Sequence, residues 1–371
     1  MGRRQPAVED MVKMAPRIKD VRKKRVLLTG SAGYIGTVMT AMLKEGSYFV
    51  VGLDNEWFGA NTLFDLSENN IPDRNMRKDI RNVSIEDLQG IDAVIHLAGL
   101  SNDPLGEINP ALTDEINYKA TVRLAELSKR AGVKRFVFAS SCSIYGISAS
   151  DKPIDESGRL NPLTAYARAK VDAENGIAAL ADNGFHPVFM RNATVYGLSP
   201  RLRLDLVVNN LSAWAYVTGE IAIMSDGTPW RPIVHIRDFC AASIAALEAP
   251  IDNIHCEVFN VGTDGSNYQV KDIAMVIKEF VPKAEIKILN RTGPDERTYK
   301  VDFSKIKNRL PEFKPKWSLT QGVEELLGAY REHSLTKDGF DSDKYFRIRT
   351  IRSLIEAGTI NTELLPTEAA K

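Results

Sequence analysis

The stretch 25–36, RVLLTGSAGYIG, constrains this chain more than any other. An apolar run breaks at Gly30 and, past Gly33 and Gly36, gives way to a segment with helical spacing. Each glycine answers a separate need: the first permits a tight turn, the second lets backbone approach a diphosphate, and the third allows close contact between helix and strand. The helix then opens with the backbone amides around Tyr34 and Ile35 directed at a negative charge. A second apolar run ends in Asp54 and Asn55, with Asp54 lying 24 positions after Gly30. A carboxylate there accepts hydrogen bonds from ribose hydroxyls and repels a 2′-phosphate, so the pattern predicts NAD(H) rather than NADP(H).

From Arg25 onward, short β-branched runs alternate with helix-length segments, the rhythm of a parallel sheet covered on both faces. Strands are expected at 26–29, 48–54, 93–97, 136–140, 187–194 and 258–261; several are apolar throughout, as buried parallel strands are. The rhythm changes between 198 and 230, where SPRLRLDLVVNNLSAWAYVTGE reads as an amphipathic helix, returns to the sheet near 233–239, and departs again after Gly262. The expected organisation is a basic extension (1–24), a dinucleotide-binding unit (25–196 and 232–262), a smaller discontinuous unit (197–231 and 263–335) and a helical tail (336–371). In the tail, Ile348, Ile351, Leu354 and Ile355 share one helical face and Gly358 is the expected stop; the helix packs on the protein's own surface or forms a dimer face.

Composition disfavours several function classes. The 48 Lys and Arg balance 48 Asp and Glu, so no global charge attracts nucleic acid or an anionic membrane. The three cysteines, Cys142, Cys240 and Cys256, and the five histidines show no metal-ligand spacing, and no bound metal is expected. No apolar run approaches the ~20 residues of a membrane span. The N-terminal segment lacks an apolar export region, so a soluble cytoplasmic protein is expected.

Tyr166 and Lys170 stand at i and i+4 in NPLTAYARAK, on one face of a helix. A phenol ordinarily titrates near ~10, and an adjacent ammonium together with a cationic nicotinamide ring favours the phenolate at neutral pH. Tyr166 then serves as acid and base at a hydroxyl while hydride leaves the same carbon. A serine-rich strand end precedes it, RFVFASSCSIYG, with Ser140, Ser141, Cys142 and Ser143.

Taken in order, TGSAGYIG, Asp54, Asp79-Ile80, HLAG at 96–99, Asn117 and YARAK resemble the extended short-chain dehydrogenase/reductase family, in its nucleotide-sugar epimerase/dehydratase branch, across about residues 25–330. The resemblance implies a doubly wound α/β (Rossmann) sheet with a smaller discontinuous α/β substrate domain, NAD as cofactor, a nucleotide-diphosphate sugar as substrate and a homodimer. It implies that Asp79 and Ile80 hold adenine, that Leu97, Ala98 and Gly99 line the nicotinamide side with Ser140, and that Asn117 braces the neighbouring strand. Ser141 is the implied partner of the reacting sugar oxygen, with Cys142 and Ser143 beside it. Members that eliminate water or decarboxylate carry a glutamate in the next two positions; Cys142 and Ser143 supply no such acid. Arg231 resembles the family's diphosphate clamp, with Arg297 and Arg291 opposite. Asn192 and Thr194 depart from the usual strand-end pattern, and Arg201, Arg203, Asn209, Ser101 and Asn102 complete the expected pocket. The implied activity is reversible oxidation of a sugar carbon, most simply C4 epimerisation. A keto-sugar reductase or dehydrogenase on the same site is the alternative, with dehydratase, decarboxylase and non-catalytic binding roles further off.

Overall fold

The computed structural model describes residues 22–101, 109–148, 152–290 and 297–367. Seven parallel strands form the main sheet: β1 (Arg25–Thr29), β2 (Phe49–Asp54), β3 (Arg74–Arg77), β4 (Ala93–His96), β5 (Arg135–Ser141), β6 (His186–Asn192) and, after three strands that lie elsewhere, β10 (Glu257–Val261). Their order is β10-β6-β5-β4-β1-β2-β3. Strand order reverses between β1 and β4, and the loops leaving these two strands diverge there, opening a crevice at the carboxyl edge. The sheet is the doubly wound one expected. The unpredicted strand is β3, whose sequence RNMR is mostly exposed; an edge strand with charged side chains carries no hydrophobic signal.

Alternation across the sheet explains the uninterrupted apolar runs. Val26, Leu28, Val50, Ile95 and Val137 face one core, packed by α1 (Tyr34–Glu45) and α5 (Ile236–Glu248). Leu27, Val51, Val94, Phe136 and Phe138 face the other, covered by α2 (Ala120–Arg130) and α3 (Ala165–Ala178). With helices on both faces, most positions of the central strands are buried, and the run of apolar residues follows from that.

The run expected at 187–194 divides at Ala193. Beyond it β7 (Thr194–Tyr196) leaves the main sheet and pairs in parallel with β9 (Trp230–His235), which β11 (Asn267–Gln269) flanks in antiparallel sense. The expected return to the main sheet near 233–239 is therefore corrected: Ile233 belongs to this separate three-stranded sheet, and from Ile236 the chain is helix α5. A third hydrophobic cluster gathers α4 (Val207–Thr218), α6 (Val270–Phe280) and α7 (Leu319–Glu332) around the short pair β8 (Glu220–Ile223) and β12 (Glu285–Ile288). The C-terminal segment joins two cores: Phe340 and Tyr345 enter the third cluster, whereas Ile351 of α8 (Arg347–Glu356), Ile360 and Leu364 enter the sheet core. No helix among the described residues is long and apolar enough to cross a membrane.

The contact that aims α1 depends on Gly36. A Cβ there would stand 2.0 Å from the Gly30 carbonyl oxygen and 2.7 Å from Ser31 backbone. Since those atoms are backbone, the helix itself must move. Gly36→Ala is therefore expected to lower stability by ~1–3 kcal/mol or more in urea unfolding and to weaken dinucleotide binding with it.

Candidate active site

The crevice at the switch point is a cleft of about 130 Å³ lined by the turn glycines Gly30, Gly33 and Gly36, by Tyr34 and Ile35, and by Asp54, Asn55, Asp79, Ile80, Leu97, Ala98 and Gly99. Its shape requires bare backbone: Gly30 has φ +72, and a Cβ on it would sit 3.0 Å from the Ala98 nitrogen. No side chain caps the start of α1, and its first turn carries no acidic residue, so the amides there face the cleft unneutralised. Asp54 is fixed by two backbone donors, Ala32 N at 3.0 Å and Glu56 N at 2.7 Å, while burial pushes its pKa up. A backbone cradle beside a fixed carboxylate fits a dinucleotide's diphosphate and ribose.

Asp79 lines the cleft, and Asn117 braces the segment that follows β4. The Asp79 carboxylate is forked by Arg81 (Nε to Oδ1 2.9 Å, Nη2 to Oδ2 3.0 Å), so it reaches the cleft already paired. Asn117 lies behind the wall, within the widened π-helical turn Asp114–Lys119, and clasps Leu100 by accepting from its nitrogen at 2.7 Å and donating to its oxygen at 2.9 Å. His96 is buried with both ring nitrogens engaged. Its ring bridges Thr29 Oγ1 and Thr121 Oγ1 at 2.6 and 2.8 Å, and burial drives its pKa down to about 3.

Beyond Gly99 the cleft opens into a cavity of about 1040 Å³, with Tyr34, Ile35, Leu97, Ser101 and Arg203 lining both. The cavity brings together Ser141, Ser143, Tyr166, Lys170, Asn192, Thr194, Arg231 and Arg297. It does not include three expected residues. Cys142, the first residue of the 3-10 turn Cys142–Tyr145 that follows β5, is fully buried, donates to the Arg191 oxygen at 3.0 Å and has its pKa raised by burial, so it faces the interior and not the substrate side. Asn209 is likewise buried, joining Gly197, Arg203 and the Tyr34 hydroxyl, and its neighbour Asn210 lines the cavity instead. Arg201 points toward the Asp54 side and donates to the Gly59 oxygen. Asn102 and Arg291 lie outside the described residues.

Thr164 caps α3, its Oγ1 accepting from Ala167 N at 3.2 Å, and places Tyr166 in the first turn and Lys170 one turn on. The Lys170 ammonium is buried, donates to the Ala139 oxygen at 2.6 Å, and lies 4.5 Å from the Phe138 ring centre and 5.8 Å from that of Tyr166. Burial lowers its pKa to about 8, against the pull of Glu174. Ser140 faces the cavity wall but gives its hydroxyl to Glu174. Glu174 is in turn forked by Arg191 (Nη2 to Oε2 2.7 Å), which also donates to the Tyr145 hydroxyl at 3.1 Å. Ser141 Oγ accepts from Ser143 N at 3.1 Å, and Ser143 Oγ is buried with no partner among the described residues. The only carboxylate among the described cavity-lining residues is Asp205, paired with Arg203 at 2.9 Å. Sequence reasoning missed Phe58 and Arg347, which line the cleft from the loop after Asp54 and from the start of α8; neither sits in a motif.

Residues 26–262 match the model of the NAD dependent epimerase/dehydratase family, and the chain belongs to that family, with NAD as its cofactor. Among curated relatives, a UDP-glucuronate 4-epimerase of Thermodesulfobacterium geofontis is 30% identical, covering 83% of this chain and 96% of its own. A UDP-glucuronic acid decarboxylase of Arabidopsis thaliana is 27% identical over 85% of this chain and 72% of its own. Among solved structures, the UDP-glucuronic acid 4-epimerase of Bacillus cereus, in complex with UDP-glucuronic acid and NAD, superposes with a TM-score of 0.72 at 28% identity, over 83% of this chain and 99% of that one.

The Glu174–Arg191 pair anchors the helix carrying Tyr166 and Lys170 to β6, with both side chains 7% exposed. Arg191→Met leaves a buried carboxylate without its counter-ion, an expected loss of ~3–5 kcal/mol in denaturant unfolding. The double variant with Glu174→Gln recovers part of that loss, because the unpaired charge is removed.

Proposed function

We propose that this chain is an NAD-dependent nucleotide-sugar epimerase acting at C4 through a keto-sugar intermediate. One observation carries the reading: Tyr166, Lys170 and Ser141 line a cavity that continues into the dinucleotide cleft, and no unpaired carboxylate stands on its described walls. Elimination of water across adjacent carbons needs an acid and a base beyond the tyrosine. Here the two positions that would carry them hold a buried thiol and a serine. The chemistry left to these side chains is proton transfer at one hydroxyl.

Bound NAD supplies the hydride acceptor and donor for the sugar carbon. Tyr166 takes the hydroxyl proton in one direction and returns it in the other. Lys170, charged and desolvated, stabilises the phenolate across a short gap of low polarity. Ser141 holds the reacting oxygen. Arg231 and Arg297 line the cavity, where two guanidinium groups suit a diphosphate, and Asn192 and Thr194 add polar side chains to the same wall. The cavity is at the upper end of the ~300–1,000 Å³ that small-molecule sites occupy, room for a nucleotide sugar.

Incubating the purified chain with UDP-glucose or UDP-glucuronate, without added cofactor, is expected to yield the C4 epimer in the NMR spectrum. A requirement for stoichiometric NAD(P)H would assign it as a reductase instead. Tyr166→Phe is expected to lower turnover ~10²–10⁴-fold with bound NAD unchanged. The ammonium of Lys170 is present below about pH 8 and lost above it. Turnover at saturating sugar is therefore expected to fall as pH rises through that value, and Lys170→Arg, which stays protonated, should lack this alkaline limb.

A further inference from the structure

Helix α8 brings to the cofactor cleft an arginine outside every recognised motif. Arg347, its first residue, is 2% exposed, and its guanidinium carbon lies 4.0 Å from the centre of the Phe58 ring; both side chains line the cleft with the glycine turn and Asp54. Its Nη1 is buried with no hydrogen-bond partner among the described residues. The anions within electrostatic reach are already engaged: Asp205 by the fork of Arg203 (2.9 and 3.1 Å), Asp54 by the amides of Ala32 and Glu56. Arg203 and Arg201 add like charge nearby. Burial first, then Arg203, brings the Arg347 pKa down to about 9. A desolvated cation in such company is costly unless an anion meets it, and the same cleft receives the uncapped start of α1. Two independent features thus seek negative charge in one volume.

We propose that Arg347 is a cofactor-binding residue, a ligand of the NAD diphosphate, and that the C-terminal segment is the strap that seats it. The diphosphate is the anion assigned because Asp54 occupies the ribose end and would repel a phosphate there. The strap is tied along its length. Tyr345 donates to the Thr62 oxygen at 3.3 Å and its own carbonyl accepts from Leu204 N at 2.9 Å. Asn61 donates to Thr350 at 2.9 Å, and Ile351 is 1% exposed in the sheet core. Farther on, Arg81 donates to the carbonyls of Glu363 and Leu364, both at 3.0 Å, while forking Asp79. The segment therefore grips the cleft from its diphosphate region to its adenine region.

The inference rests on the NAD reading of the cleft and not on the sugar. It is tested by calorimetric titration of NAD, ADP, 2′,5′-ADP and adenosine into the nucleotide-free full chain, wild type and Arg347→Met. The variant is expected to bind NAD and ADP about 10- to 100-fold more weakly, as loss of a charge-assisted contact gives, and to bind adenosine as before. Because it removes an unpaired buried charge, its ligand-free melting temperature should hold or rise while the rise induced by NAD shrinks. Arg347→Lys, which keeps the charge and loses the fork, should fall between, and its ratio of ADP to adenosine affinity decides the matter if the methionine variant does not fold. Unchanged NAD affinity, equal weakening of adenosine and ADP, or a loss confined to 2′,5′-ADP would each overturn the proposal. Wild-type protein that binds neither NAD nor ADP would overturn the cofactor reading and this inference together.

Discussion

The near-contact between Gly36 and the Gly30 carbonyl is what the remainder of the molecule is arranged around. Without a Cβ at either place, α1 presses against the turn leaving β1, and its first amides point into the crevice where strand order reverses. A helix set farther off would still cover the sheet, but its uncapped start would no longer address the same volume as Asp54. The two apolar cores hold this arrangement rigid from both sides of the sheet, and the anion site is therefore a property of packing as much as of the residues that line it.

The proposed chemistry depends on a second constraint, the burial of Lys170. Its ammonium has the Ala139 carbonyl and two aromatic faces for company, and a carboxylate one turn away that is itself held by Arg191 and Ser140. Glu174 is close enough to keep the charge affordable, yet its own oxygens are spoken for by other donors. The lysine is left cationic and short of partners beside Tyr166, a condition in which a phenolate neighbour is welcome. Had Glu174 paired directly with Lys170, the same residues would form a stable ion pair with little to offer the tyrosine.

Much of this was legible in the chain because it is local. The glycine spacing, the terminal Asp54, and Tyr166 with Lys170 each lie within one strand, turn or helix, where periodicity fixes relative direction. What sequence reasoning misplaced depends on side-chain direction or on distant chain. Cys142 adjoins Ser141, but it turns into the interior toward Arg191; Asn209 and Asn210 differ by a step on α4, and the cavity takes the second. The strand β3 has a backbone role without an apolar face to announce it. The departure of β7 from the main sheet follows from pairing with β9, some forty residues later, a choice no local window contains.

Arg347 is the extreme case of that non-locality. On its own the segment FRIRTIRSLIEAG is a helix with arginines between apolar residues, and nothing in the spacing separates the arginine that faces water from the one that faces the cleft. Only the folded chain does so, by seating Ile351 in the sheet core and thereby turning Arg347 under Phe58. The strap has a functional logic consistent with reversible chemistry. An enzyme that restores its cofactor within each turnover has no need to exchange it, so a cleft gripped by the chain's own C-terminal segment does not impede the cycle. A reductase, which must release its spent cofactor every time, would have to loosen the same contacts at every turnover, among them a core isoleucine and two backbone clasps from Arg81.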